Sequence, residues 1–359
     1  MTSPAFGKFF LPGPTDVHPD VLAAMQRAMI GHRSSAMEQM LGGMAPQLAR
    51  LFRTARPVMV GTASATGFME MAVRNGVARR ALSLVNGAFS ARFADMVGAA
   101  GKECIRLEVP LGSAVEPAML RDALRRTPVD AVTLVHSETS TGVLQDVEAL
   151  AAVTREFDDC LVLVDAVTSL AGSPVEPDRW GLDFTFTGSQ KALALPPGLA
   201  LGVASERMLE RAMTLQGRGL YFDLVSFDEA TRKFQPTNTP ALSFFYALEV
   251  QLGRIEREGG VEARWQRHDA MRRRVEEWVE PHGVRYVPPE GRRSWTVSCL
   301  QVPEGKKPGE IVSALKKQGW TIGAGYGSLK DKTIRIGHMG DHTPEAVDEL
   351  LALLARTLA

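Results

Sequence analysis

Short apolar runs alternate with helical stretches over the first two thirds of this chain, and that alternation narrows the fold to one class. Residues 57–60, 81–85, 131–135, 160–164, 184–187 and 199–204 read as strands. Between them, 68–75, 90–98 and 147–157 carry apolar residues at helical spacing. Strands that are apolar along their whole length, rather than at every second position, are buried on both faces. Helices between them supply the cover and the crossovers, so the expectation is an α/β protein with a mostly parallel sheet.

The pattern changes after residue 221. Residues 222–243 are polar, include Thr237-Asn238-Thr239-Pro240, and read as a loop crossing between two units. Long helices are expected at 243–258, ended by Gly259-Gly260, and at 261–279. Beyond Val284 the order becomes strand, helix, strand, strand, helix, with strands at 295–302 and 333–336 and helices at 308–318 and 344–358. These readings place a large domain at 15–246 and a smaller C-terminal domain at 247–359, joined by the N-terminal segment 1–14.

With 359 residues the chain is long enough for two cores. Its 41 basic and 41 acidic residues cancel, which argues against a nucleic-acid or membrane-surface partner held by excess positive charge. No apolar run approaches the roughly 18 residues of a membrane span. The first eight residues lack an apolar signal core, so a cytoplasmic location is expected. Cys104, Cys160 and Cys299 lie far apart and form neither a CxxC nor a zinc-ligand spacing. His136, His338 and His342 have no metal-ligand spacing either, and no metal is expected.

The chemistry concentrates at two strand ends. Asp165 closes the run Cys160-Leu161-Val162-Leu163-Val164, and Lys191 follows Phe184-Thr185-Phe186-Thr187-Gly188-Ser189-Gln190. In open α/β sheets ligands bind outside the carboxyl ends of the strands. A lysine and a buried aspartate there are the pair required to hold pyridoxal 5′-phosphate (PLP). The amine makes a Schiff base, and the carboxylate keeps the pyridine nitrogen protonated. Asp165 could equally cap a helix, but four apolar residues before it point to a buried carboxylate that needs a cation.

Gly61-Thr62-Ala63-Ser64-Ala65-Thr66-Gly67 joins a strand to a helix start, where N–H groups and hydroxyls can cradle a phosphate. Alone it is equally a tight turn with a Ser/Thr cap. It is neither a Walker A loop nor GxGxxG. Phe89, in Asn86-Gly87-Ala88-Phe89, can stack on a flat ring or serve as core. Ser137-Glu138-Thr139-Ser140-Thr141-Gly142 can bond a ring oxygen or form a turn rich in local bonds.

Together these stretches resemble the class V aminotransferases of PLP fold type I, most like the alanine–glyoxylate and serine–glyoxylate enzymes. The resemblance runs from Leu11-Pro12-Gly13-Pro14-Thr15 to Ile334-Arg335-Ile336-Gly337-His338-Met339-Gly340. It is most specific at Glu138 to Leu144, Val164 to Leu170 and Gly188 to Leu193. It implies a seven-stranded, mostly parallel sheet sandwiched by helices, with a smaller C-terminal α/β domain. It implies that Lys191 carries the cofactor and moves the substrate Cα proton, and that Asp165 pairs with the pyridine nitrogen. Thr139 would meet the ring oxygen, and Ser64, Ala65, Thr66 and Gln190 the phosphate. Asn238 and Thr239 would reach that phosphate from a second subunit of a homodimer. Arg335 would clamp the substrate carboxylate, with Ser169, Gly13 and Arg33 as further substrate contacts. Many alanine–glyoxylate relatives carry tryptophan at the position of Phe89, and some have Gly and His at those of Ala65 and Thr66.

The implied reaction is a ping-pong transamination from alanine or serine to a 2-oxo acid, glyoxylate first. His32-Arg33 keeps phosphoserine with 2-oxoglutarate as an alternative, since phosphoserine aminotransferases use a His-Arg pair in this general region. A PLP lyase or desulfurase is a third reading. It is weakened by the lack of a cysteine in a Gly/Ser-rich loop and by Gln190 where desulfurases commonly place His.

Overall fold

The computed structural model describes residues 6–358. Met1 to Ala5 and Ala359, parts of the expected N-terminal segment and C-terminal domain, lie outside the described residues. The strands in chain order are β1 (Phe9–Phe10), β2 (Met59–Thr62), β3 (Arg80–Val85), β4 (Glu103–Glu108), β5 (Ala131–Val135), β6 (Ser137–Glu138) and β7 (Val143–Leu144). They continue with β8 (Leu161–Asp165), β9 (Phe184–Gly188), β10 (Leu199–Ala204), β11 (Arg285–Tyr286), β12 (Ser298–Gln301), β13 (Thr321–Ala324) and β14 (Thr333–Ile336).

Seven strands form the large sheet in the order β2-β10-β9-β8-β5-β3-β4. Only β10 runs against its neighbours, so β2, β3, β4, β5, β8 and β9 all point their carboxyl ends to the same edge. Burial on both faces explains the sequence pattern. Along β8, Leu161 and Leu163 enter one core with Phe184, Phe186, Phe68 and Phe93, while Val162 and Val164 enter the opposite core with Leu82, Leu84, Val132 and Leu134. Asp165 continues the Leu161–Leu163 face, by the period of two along a strand.

Four N-terminal helices are α1 (Pro19–Ala24), α2 (Ser35–Phe52), α3 (Ala65–Gly76) and α4 (Ala88–Ala99). α3 and α4 cover the Leu161–Leu163 face through Phe68, Met71, Ala72, Phe93 and Val97. Phe68 is fully buried against Phe184 and Phe227, with ring centroids at 6.4 and 5.7 Å. Burying one such side chain is worth about 1.5–3 kcal/mol, and this one fixes where α3 begins relative to the sheet edge.

A second sheet has the order β1-β13-β14-β12-β11. Its core of Phe10, Leu300, Ile322, Ile334 and Ile336 is closed by Met271, Val275, Ile311, Leu315, Leu350 and Leu354 from three C-terminal helices. No helix among the described residues is long and apolar enough to cross a membrane.

One local expectation needs correction, and one strand had no counterpart in the sequence reading. Residues 222–243 are not a continuous loop: Leu224–Arg232 is a helix. Asp223 caps it, Asn75 Oδ1 accepts from Leu224 N at 3.1 Å, and Leu224 and Phe227 enter the core beside α3. The helix exists because of that tertiary contact, which the polar composition conceals. Edge strand β4, Glu-Cys-Ile-Arg-Leu-Glu, carries charge on its open side and so never reads as an apolar run.

Candidate active site

The carboxyl edge of the large sheet gathers the expected residues because five parallel strands end there. β2 leads to residues 64–66, β3 to Phe89, β5 to Thr139, β8 to Asp165 and Ser169, and β9 to Gln190 and Lys191. None of these segments is adjacent in sequence to the next; the parallel sheet alone brings them together.

Lys191 lies 8 % exposed in the turn after β9. Its Nζ donates to the Pro12 carbonyl, and it stands 6.0 Å from the Phe89 ring centroid. The N-terminal segment clamps this turn. Thr15 N donates to Gln190 O at 3.1 Å, and Thr15 Oγ1 to Lys191 O at 3.2 Å. Gly13, with φ +105°, packs on the amine so closely that a Cβ there would sit 2.6 Å from Nζ. Burial, reinforced by the Arg335 cation, lowers the Lys191 pKa from 10.5 to about 8.

Asp165 is buried at the end of β8 and accepts from Val167 N at 2.8 Å. Burial raises its pKa to about 7, with the Glu138 carboxylate adding to the rise and the Val167 N–H opposing it. A carboxylate in this position gains most from a cation placed against it, because the cation restores the charged form that burial disfavours.

The start of α3 forms an anion cradle. Ser64 is its N-cap but makes no side-chain capping bond, so its hydroxyl is free; Gly67 N donates to Ser64 O at 2.9 Å, while the N–H groups of Ala65 and Thr66 have no partner among the described residues. Gly188, where β9 passes this turn, is closely packed: a Cβ would sit 2.6 Å from Gln190 Oε1, so that amide would have to move, and 3.1 Å from the Ala65 Cβ. Thr139 Oγ1 pairs with Thr168 Oγ1 at 2.6 Å, and Ser169 Oγ is buried without a hydrogen-bond partner among the described residues. A free hydroxyl, uncapped N–H groups, an aromatic face, an unmatched carboxylate and a neutralisable amine together fit a flat, basic heteroaromatic ring that bears a phosphate and a carbonyl.

Arg335 reaches this edge from the second sheet. On β14, it donates through Nε to Ala324 O at 2.9 Å and through one terminal nitrogen to Thr139 O at 3.3 Å. Tyr326 lies over the guanidinium, 5.5 Å from its carbon to the ring centroid, and 5.7 Å from the Phe89 centroid. Arg335 keeps a free edge for a carboxylate.

Three expected residues are not drawn into this group. Arg33 is exposed and makes no hydrogen bond or ion pair among the described residues. Asn238 and Thr239 are exposed beside Thr62 and Tyr221, and within this chain they make no bond to residues 64–66. Pro12, Thr168 and Tyr326 had no role assigned from sequence, nor had Glu138 within its quoted motif. The glycines that flank Tyr326 shortly before the Arg335 strand were the one available signal.

The family model described as Aminotransferase class-V matches residues 99–350. An uncharacterised aminotransferase of Methanocaldococcus jannaschii is 36% identical over 92% of this chain and 87% of its own length. The serine–glyoxylate aminotransferase of Methylorubrum extorquens is 31% identical over 94% of this chain and 87% of its own. Among solved structures, an alanine–glyoxylate aminotransferase from Nostoc sp. superposes with a TM-score of 0.94 at 30% identity, covering 100% of this chain and 96% of that one.

Proposed function

This chain belongs to the class V aminotransferases, and from that premise we propose that it uses PLP to move the amino group of alanine or serine to a 2-oxo acid, glyoxylate first. The observation that carries the proposal is the buried Lys191 amine, lowered to about 8, on the same sheet edge as the charge-starved Asp165 and the open N-terminus of α3. The glyoxylate preference follows the names of the serine–glyoxylate and alanine–glyoxylate relatives.

When bound, PLP supplies an electron-accepting ring that takes up the charge left as the amino acid Cα loses its proton. The chain's own groups do the rest. Lys191 would hold the cofactor through Nζ and, once the incoming amine has displaced it, would take the proton from the substrate Cα at that atom and deliver it to the C4′ carbon of the cofactor. This work requires the neutral amine, which burial favours. Asp165 would pair with the ring nitrogen and keep its proton in place. Ser64, Ala65, Thr66 and Gln190 would hold the phosphate, Phe89 would lie against the ring, and the Thr139 hydroxyl would meet its oxygen. Arg335 receives the substrate carboxylate, with Ser169 and Gly13 bordering the same space. Deep burial of Lys191 keeps bulk water from the reacting carbon.

We further propose a division into a large unit, 15–246, and a smaller one, 247–359, supported by the two separate sheets. A second subunit would add Asn238 and Thr239 to the phosphate, a reading supported by their exposure next to β2. The desulfurase reading finds no nucleophile: burial pushes the Cys160 thiol up to about 12 and the Cys299 thiol up to about 11, and Cys104 lies on edge strand β4.

The test is product formation by protein supplied with PLP, alanine or serine, and glyoxylate. Glycine accumulating with pyruvate or hydroxypyruvate supports the proposal. Turnover only with other donor–acceptor pairs overturns the substrate choice, and no amino transfer to any 2-oxo acid overturns the function.

A further inference from the structure

The N-termini of α3 and α4 both lie at the carboxyl edge of the large sheet, and the chain treats them differently. That of α3 is left open. That of α4 is closed by the protein's own acid, Glu138, which is fully buried. Its Oε2 accepts from Phe89 N at 3.1 Å and from Ser90 N at 2.8 Å, with Ser90 Oγ at 3.0 Å. Its Oε1 accepts from Ser140 N at 3.1 Å and Ser140 Oγ at 2.6 Å. Ser140 Oγ in turn accepts from Ala88 N at 3.0 Å. The N–H groups of the first turn of α4 are thus spent on residues 138 and 140, and the acid lies at the positive end of the helix dipole. Gly87 makes room for this: a Cβ there would lie 2.5 Å from both the Glu138 carboxyl carbon and Ser140 Oγ.

We propose that Glu138 is a positioning residue of the transamination: its carboxylate locks the first turn of α4, and with it the Phe89 ring, against Thr139, and sets a fixed negative charge beside Lys191 and Asp165. The proposal rests on the reading of this edge as the PLP site. Phe89 and Thr139, the expected contacts of one face and one edge of the ring, are next to groups that bond this carboxylate. The charged and titratable groups that interact with it are Lys191, Asp165 and Arg335 on β14; Arg92 on α4 acts on Asp165, and Tyr326 on Arg335. Glu138 pushes the Lys191 and Asp165 pKa values up, whereas Arg335 pushes that of Lys191 down. Together with Asp165, the acid thus opposes the substrate-binding cation at the amine.

Glutamine cannot take over. Both carboxylate oxygens accept from backbone N–H groups, so an amide NH₂ would point a donor at a donor. Aspartate keeps the charge but falls short by one C–C bond, about 1.5 Å, and cannot hold both Ser90 and Ser140.

The test uses full-length protein loaded with PLP and the variants Glu138→Gln and Glu138→Asp. The readouts are the PLP dissociation constant, the pH midpoint of the absorbance band near ~420 nm, and Tm. Glu138→Gln should bind PLP at least about tenfold more weakly and titrate about one pH unit lower, because a negative charge that favours the protonated form is gone. Glu138→Asp should bind PLP more weakly yet titrate close to the wild type. A lower Tm with unchanged midpoint and PLP affinity would make Glu138 a helix cap only and overturn the proposal. If Glu138→Gln does not fold, Glu138→Asp decides: wild-type PLP affinity in that variant overturns it. Absence of the band in the wild type itself overturns the PLP reading and the role of Glu138 with it. A normal wild-type band with unchanged variants overturns the role of Glu138 alone.

Discussion

At the scale of single residues, the account turns on how burial tunes one amine and one carboxylate. Asp165 was legible because it closes an uninterrupted apolar run, where a charged group is costly unless a cation meets it, and Lys191 because it follows the short strand 184–187 by way of Gly188-Ser189-Gln190. Their neighbours were less legible: Tyr326 meets Arg335 and Phe89 only through the second sheet. Replacing Lys191 by alanine should lower turnover by about 10⁴-fold or more while leaving Tm near the wild type, since the base and the anchor are lost together. The pH dependence has a definite sign. Burial and Arg335 stabilise the neutral amine, so capture of PLP by cofactor-free protein should rise as pH increases through about 8 and level off above it. Arg335→Gln removes a cation and should move that midpoint upward, towards 10.5. The same variant should raise KM for the amino acid by about 10–100-fold, the worth of hydrogen bonds to a charged group. An unchanged midpoint, read by stopped-flow absorbance, would show that Arg335 does not act on the amine.

At the scale of elements, the buried strands and the long C-terminal helices announced themselves, because their period is written in apolar residues alone. Thr333–Ile336 and Pro344–Leu358 have the bounds expected from sequence. Strand β4 and the helix Leu224–Arg232 did not, since one is an exposed edge and the other owes its existence to Asn75 and the core beside α3. The approach of β9 to the start of α3 is likewise tertiary, and Gly188 permits it. Gly188→Ala would displace Gln190 and press on Ala65. We expect its PLP dissociation constant to rise about tenfold, the loss of about 1.4 kcal/mol, with a smaller change in Tm. A large fall in Tm with unchanged PLP affinity would mean that the glycine serves packing and not the cradle.

At the scale of the whole molecule, the fold class and the mostly parallel large sheet were legible from the alternation of runs. What one chain cannot display is what a second copy adds. Asn238 and Thr239 stand exposed beside the strand that leads to the cradle, which is where residues shared between subunits would be found. If the site is shared, mixing inactive Lys191→Ala protein with Thr239→Ala protein under exchange conditions should create heterodimers with one intact site. Activity should then exceed the sum of the separate preparations. Strict additivity after verified exchange would confine each site to one chain.

The most direct measurement is to reduce the PLP-loaded protein with borohydride, digest it, and locate the pyridoxyl group by mass spectrometry. The account predicts a single modified lysine, Lys191. Modification of a different lysine, or of none, would contradict it.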